Sequence, residues 1–181
     1  MKITDVTTLL LFDPDAPHFQ DGTQPPPVPG ASGRPMLFVQ VHTDAGPVGL
    51  GLTEGERATR AVIHDHFREL LIGQDPFNIE GLWQQMLWRV RSFGRKGLAF
   101  QAISAVDIAL WDLKAKALDL PLYKLLGACR ESVPVYGSGG WTHFTEKELI
   151  AEQASYVEQG YRAVKMKVGK NFGTAEKEDV R

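Results

Sequence analysis

The sequence is poor in cysteine and has no long hydrophobic run. Its 181 residues include one cysteine, Cys129, so no disulfide can form within the chain. No apolar stretch approaches the ~20 residues that cross a bilayer, and no basic start followed by an apolar segment opens the chain. We therefore expect no membrane partner and predict a cytoplasmic protein.

An excess of charge of one sign is also lacking. Twenty lysines and arginines stand against 22 acidic residues, which leaves a formal net charge of −2. A nucleic-acid-binding surface needs a basic patch or stripe, so no nucleic acid partner is expected. The hydrophobic fraction of 43% and the charged fraction of 23% are ordinary for a globular protein.

Proline and glycine are concentrated between Asp13 and Pro35. Proline removes a backbone donor and glycine weakens regular elements, so this stretch is predicted to be a long loop. Loops beyond ~12 to 15 residues are usually functional or disordered. Its imidazole and aromatic groups are His18 and Phe19.

The remainder of the first hundred residues predicts three strands and two helices. Alternation and β-branched residues indicate a strand over residues 2–12, and residues 35–43 and 47–53 predict a hairpin around Asp44-Ala45-Gly46. Helices are predicted over residues 58–71 and 78–90. His64 and His66 diverge by roughly 200° on such a helix, so they cannot share a metal, and we expect both on the surface.

The stretch from Ala99 to Gly127 carries the strongest helical pattern. Its apolar stripe follows helical spacing and consists of Ala99, Ala102, Ile103, Val106, Ala109, Leu110, Leu113 and Ala117. The reverse side is mostly apolar too, so the helix is predicted to be covered on both sides. Asp112 and Lys116 form a supporting i,i+4 pair, and Pro121 ends the helix.

Residues 102–116, AISAVDIALWDLKAK, followed by Pro121, Leu122, Leu125, Leu126 and Gly127, resemble a known signature. It is the first signature of the mandelate racemase and muconate lactonizing enzyme group of the enolase superfamily. In that family this helix docks an N-terminal α+β capping domain onto a (β/α)8 TIM-type barrel. The resemblance implies a capping domain in residues 1–131 and the start of a barrel in residues 132–181. Asp107 and Asp112 point to different sides of the helix, and we predict structural roles for both.

The pattern changes after Gly127 to strand, helix and strand. Residues 133–136 predict a strand and residues 162–169 a second one. Thr145 and Glu148 predict a capping box that opens a helix running to about Gln159. Short connections of this kind build a parallel sheet or barrel.

The second of these strands carries two lysines on one face. Alternation places Lys165 and Lys167 opposite Val164, Met166 and Val168. In a barrel the apolar set faces the helices, so both lysines point inward, where their mutual repulsion favours loss of a proton and use as a base. An edge strand with two solvated lysines is the alternative, and it would be preferred without the signature helix.

The resemblance assigns roles to these residues. Lys165-Met166-Lys167 matches the family's K-x-K motif, which implies that Lys167 abstracts or returns the proton α to a substrate carboxylate while Lys165 assists. The matching family loop closes over the barrel mouth, which makes His18 and Phe19 candidates for substrate binding. A surface loop without substrate contact is an equal alternative. The family holds Mg²⁺ with three carboxylates on later strands, so the metal ligands are expected downstream of Arg181 and none in this chain.

The resemblance thus implies the amino-terminal part of a Mg²⁺-dependent enzyme that forms an enediolate from a small carboxylic acid. We expect a sugar-acid dehydratase, a lyase, while racemase and cycloisomerase, both isomerases, remain open. A (β/α)8 barrel takes ~250 residues, whereas about 50 follow Cys129. The barrel is therefore expected to be truncated after its second strand and the chain alone inactive. A non-catalytic capping or assembly module is the second alternative. An unpaired strand edge and a bare helix face also predict a homo-oligomer.

Overall fold

The computed structural model describes residues 1–13, 21, 34–54, 57–94, 96–170, 173–174 and 177. His18 and Phe19 lie outside these residues. The described residues form two compact units, one with residues 1–13 and 34–129 and the other with residues 130–170, 21, 173–174 and 177. The division falls between Cys129 and Arg130, two residues before the predicted domain boundary, and the two domains as delimited from the sequence stay a prediction.

The first unit contains a three-stranded antiparallel sheet in the order β1-β2-β3. The strands are β1 (Ile3–Asp13), β2 (Arg34–Thr43) and β3 (Val48–Glu54). Leu9 pairs with Phe38, which pairs in turn with Leu52, so these residues share one face. The opposite face is buried through Val6, Leu37, Val39 and Val41. The predicted hairpin is therefore present, and the buried face forms one side of the core.

Helices form the opposite side of the core. They are α1 (Arg57–Val62), a π-helical turn (Ile63–Phe67), α2 (Arg68–Leu71), α3 (Ile79–Arg89), a 3-10 turn (Arg91–Phe93), α4 (Leu98–Ala117) and α5 (Leu122–Leu125). Buried side chains of these helices include Phe67, Leu71, Leu82 and Met86. In the described part of the chain, each helix is too short or too polar to cross a membrane.

Within the π-helical turn, His64 and His66 are both half-buried, whereas both were expected on the surface. His64 is half-buried, and its Nε2 lies 2.7 Å from the Thr8 hydroxyl of β1. Burial first, and then the charges of Arg60 and Arg68, lower the pKa of His64. A π turn holds an additional residue, which rotates the side chains that follow it relative to a regular helix. The helix predicted over residues 58–71 assumed an uninterrupted α-helical period.

Helix α4 packs most closely against β3. Its predicted stripe is buried from Ala99 to Leu113, while Ala117 is half-buried. Asp112 and Lys116 form the predicted ion pair, with 2.6 Å between Nζ and Oδ2. The same carboxylate accepts a 2.7 Å hydrogen bond from the Leu50 amide of β3, a structural role as predicted. The reverse side differs from the prediction, since Ile108 is 41% exposed.

The second unit is a strand, a helix and a strand. These are β4 (Gly137–Ser138), α6 (Glu146–Glu158) and β5 (Val164–Lys165), and the strands are parallel. The strand predicted over residues 133–136 is wrong, because pairing begins only where the Gly137 amide donates to the Ala163 carbonyl at 3.0 Å and Pro134 has no amide to donate. The strand predicted over residues 162–169 is reduced to two residues.

The capping box at the start of α6 is confirmed. The Thr145 hydroxyl accepts from the Glu148 amide at 3.3 Å, and the Glu148 carboxylate accepts from the Thr145 amide at 2.8 Å. Two parallel strands joined by a helix form the repeating unit of an α/β barrel.

Candidate active site

The carboxyl ends of β4 and β5 lie side by side and bring the two lysines next to a glycine turn. Ser138 pairs with Lys165 in the parallel register. A Cβ atom at Gly137 would meet Tyr156 of α6, and one at Gly139 would meet Glu152 of α6. Positions 137 and 139 therefore face α6. Since strand side chains alternate, Ser138 and Lys165 face the other way.

Lys167 continues this arrangement one step beyond β5. Its amide donates a 2.9 Å hydrogen bond to the Gly140 carbonyl, so strand pairing extends past the two residues of β5. Its Nζ lies 5.5 Å from the centre of the Trp141 ring, within the range of a cation–π interaction. Lys167 is half-buried, whereas Lys165 is exposed. The two lysines thus differ in environment, and Lys167 has the more enclosed one.

Sequence reasoning missed Trp141. An aromatic residue directly after a glycine pair, at the carboxyl end of a strand, is a usable signal for such a position. Active sites of α/β barrels are built at this end of the strands. The structure places Trp141 beside Lys167, which brings together a base candidate and an aromatic surface.

Glu152 is the second residue that sequence reasoning missed. It lies on α6, and its Oε2 accepts a 2.5 Å hydrogen bond from the Gly140 amide. Gly140 has a φ of +65°, and a Cβ at Gly139 would lie 2.2 Å from the Glu152 carboxylate. Glycine is favoured at position 140 by this backbone conformation, and a side chain at position 139 would have to displace the Glu152 side chain. No local pattern distinguishes this glutamate from other helix glutamates.

The described residues do not form a metal site. Within them, no group of three or more histidine, cysteine, aspartate or glutamate side chains could hold a metal ion. The arrangement of an amine, an aromatic ring and exposed positive charge suits proton transfer or carboxylate binding. A Mg²⁺ ion therefore does not fit the described residues.

The family model for the mandelate racemase / muconate lactonizing enzyme N-terminal domain matches residues 27–127, which is more than half of the chain. The chain belongs to this family. The resemblance seen in the signature helix is therefore confirmed. The match ends at Gly127, just before the second unit.

Relatives in the mandelate racemase / muconate lactonizing enzyme family include dehydratases and a cycloisomerase. The chain is 40% identical over 138 residues to an L-talarate/galactarate dehydratase from Salmonella typhimurium, covering 74% of this chain and 35% of that protein. It is 40% identical over 139 residues to a 3,6-anhydro-alpha-L-galactonate cycloisomerase from Streptomyces coelicolor, covering 75% of this chain and 38% of that protein. The chain thus spans between a third and two fifths of these relatives' length.

Solved structures extend the likeness to both units. The crystal structure of the Salmonella typhimurium dehydratase, liganded with Mg and L-lyxarohydroxamate, matches 99% of this chain with a TM-score of 0.87 and 33% identity, and 46% of that chain is covered. A racemase from Streptomyces coelicolor with bound magnesium matches 98% of this chain with a TM-score of 0.87 and 37% identity, and 49% of that chain is covered. Both relatives contain magnesium, as predicted for full-length enzymes of this family.

Proposed function

We propose that this chain is the amino-terminal part of a Mg²⁺-dependent sugar-acid dehydratase that removes the proton α to the substrate carboxylate. The observation that carries the proposal is Lys167, half-buried against Trp141 at the carboxyl end of paired parallel strands. The substrate class comes from the relatives, which include an L-talarate/galactarate dehydratase, a D-galactonate dehydratase family member and a D-mannonate dehydratase. Metal ligands would come from residues other than the described ones.

The chemistry of this chain's residues begins at the side-chain nitrogen of Lys167. This nitrogen accepts the α-proton while the C–H electron pair moves toward the carboxylate and forms an enediolate. Lys165, on the same side of the strand, supplies a positive charge that attracts the substrate carboxylate and favours the developing negative charge. In a dehydratase the enediolate then expels the β-hydroxyl as water, and an acid outside the described residues provides its proton.

Replacement of Lys167 tests this proposal. In a full-length enzyme that carries this chain, Lys167→Ala is expected to lower deuterium exchange at the substrate α-carbon by ~10² to 10⁴, the usual effect of losing a general base. Exchange in D₂O is followed by proton NMR, with Lys147→Ala on the exposed side of α6 as the matched control. If Lys167→Ala retains full exchange, the base lies elsewhere and the lysines only bind the carboxylate.

Racemase or cycloisomerase activity is the first alternative. It is favoured by the 40% identity to the cycloisomerase and by the matching racemase structure. All three reactions share the proton abstraction assigned to Lys167, so the products decide between them. Loss of water indicates a dehydratase, inversion at the α-carbon a racemase, and a rearranged isomer of unchanged mass a cycloisomerase.

A capping or assembly module without catalysis is the second alternative. Whether or not the protein is an enzyme, the sheet of the first unit supports a homo-oligomer. Its outer face exposes Leu9, Leu11, Met36, Leu50 and Leu52, each by 39% or more. Together they present ~400 to 500 Å² of apolar surface, comparable to the largest patches on monomers. We propose that a second copy of the chain packs on this face.

A further inference from the structure

The turn at Gly139 and Gly140 is held from two sides. On one side the Gly140 amide donates to Glu152 of α6 at 2.5 Å. On the other side the Gly140 carbonyl accepts from the Lys167 amide at 2.9 Å. A single peptide turn therefore links a carboxylate on the helix to the backbone of the proposed base.

The Glu152 carboxylate lies close against the backbone of the glycine turn. A Cβ at Gly139 would lie 2.2 Å from Glu152 Oε2, so the space of that missing side chain is occupied by the Glu152 side chain. The same oxygen accepts a 3.1 Å hydrogen bond from the amide group of Gln153. Two donors on one oxygen hold the carboxylate in a single orientation.

The charge of Glu152 affects the neighbouring Tyr156 on the same helix. Burial first, and then the charge of Glu152, raise the pKa of Tyr156. The hydroxyl of Tyr156 donates to the Ser138 carbonyl at 3.2 Å. Helix α6 thus makes hydrogen bonds to the backbone on both sides of Gly139, at Ser138 and at Gly140.

We propose that Glu152 is a positioning residue for Lys167. Its carboxylate fixes Gly140, and Gly140 fixes the Lys167 backbone. The next residue, Trp141, bears the ring that lies 5.5 Å from Lys167 Nζ. Loss of the carboxylate would therefore loosen both the base and the ring beside it. This inference rests on the proposed role of Lys167 as the base.

The first measurement needs no activity. Amide hydrogen exchange of Lys167 and Gly140 is measured by NMR in the 181-residue chain and in Glu152→Ala, Glu152→Gln and Glu158→Gln. Glu158 lies exposed on the last turn of the same helix and is the matched control. We expect at least tenfold faster exchange at both amides in Glu152→Ala, a smaller change in Glu152→Gln, whose amide oxygen still accepts, and none in Glu158→Gln. Unchanged protection of Lys167 in Glu152→Ala would overturn the proposal.

The second measurement separates positioning from structural support. In a full-length enzyme carrying this chain, Glu152→Ala is expected to lower kcat for α-proton exchange about tenfold with KM within twofold, and Glu152→Gln to recover most of the loss. If the amide of Lys167 loses protection while kcat stays unchanged, Glu152 is only structural and the inference fails. If Lys167→Ala itself retains exchange, the proposed function fails, while the effect of Glu152 on the Lys167 amide is still read from the first measurement.

Discussion

The contact between α4 and β3 leaves no room for a side chain at Gly51. A Cβ there would lie 1.8 Å from the Ala105 carbonyl oxygen, about 1.6 Å short of the 3.4 Å at which ordinary contact begins. The obstacle is helix backbone, so no change of rotamer relieves it. Gly51→Ala must therefore push α4 away from the sheet, and the 2.7 Å hydrogen bond from the Leu50 amide to Asp112 lengthens with it.

The cost of Gly51→Ala follows from this geometry. Overpacking in cores costs ~1 to 3 kcal/mol and occasionally more, and a clash with backbone belongs at the upper end. We expect a loss of ~3 kcal/mol or more, a large share of the ~5 to 15 kcal/mol that stabilises a typical domain. At ~2 to 8 °C for each kcal/mol across domains of ~60 to 250 residues, Tm falls by ~6 °C or more.

Urea unfolding followed by tryptophan fluorescence measures this loss. A Trp141→Phe background removes the tryptophan of the second unit, so that Trp83, Trp88 and Trp111 report on the first. Gly81→Ala in α3 is the matched control, because its Cβ would meet only the flexible Asn78 side chain and a helix interior prefers alanine by up to ~1 kcal/mol. A Gly51→Ala protein within ~0.5 kcal/mol of the parent would refute the close approach of α4 and β3.

Three further outcomes are expected. Hydrogen bonds from the Thr145 amide and hydroxyl lower the pKa of Glu148, so Thr145→Ala should raise this pKa, and an NMR titration should show a higher midpoint. The stabilisation by the ionised carboxylate is lost as pH falls through the lowered pKa. The faster amide exchange expected in α6 of Thr145→Ala at neutral pH should therefore approach that of the parent in acid. Because the pKa of His64 is lowered in the folded chain, the unfolded chain binds a proton more readily. The free energy of unfolding should therefore fall as pH drops below ~6.5, the ordinary pKa of histidine. Urea titrations of His64→Gln should show a smaller decrease in this free energy over the same pH range. Leu11→Lys and Leu50→Lys should reduce self-association, measured by light scattering over a concentration series. Val135→Lys, which changes an exposed residue of the second unit, should leave self-association unchanged. If only Val135→Lys reduces self-association, the interface lies on the second unit instead.

Local signals in the sequence predicted the parts of the fold that depend on neighbouring residues. The capping box needs only Thr145 and Glu148, three residues apart, and the stripe of α4 needs only its own period. The hairpin around Asp44-Ala45-Gly46 is equally local. Each of these elements appears where it was predicted, within one or two residues.

Long-range contacts explain what could not be predicted. Val133, Val135 and Tyr136 have high β propensity, yet pairing starts at Gly137, where the partner strand supplies its first acceptor. No local sequence pattern within Ile63–Phe67 predicts a π-helical turn. Lys167 could be proposed from alternation and the family motif, but Trp141 and Glu152 acquire their places only when β4, α6 and β5 come together.

The contacts of two β3 glycines with two α4 alanines also fix the position of the helix along the strand. Gly49 meets Ala109, and Gly51 meets both Ala105 and Ala109. Two residues of strand advance ~6.6 to 6.8 Å and four residues of helix ~6.0 Å, so the two spacings nearly coincide and both contacts fit at once. A slide of one helix residue turns α4 by ~100° and brings Val106 or Leu110 against glycines that now contact the backbone of Ala105 and Ala109 and the Cβ of Leu113. Insertions and deletions are therefore tolerated in the connections, while the lengths of β3 and α4 between these contacts are fixed together.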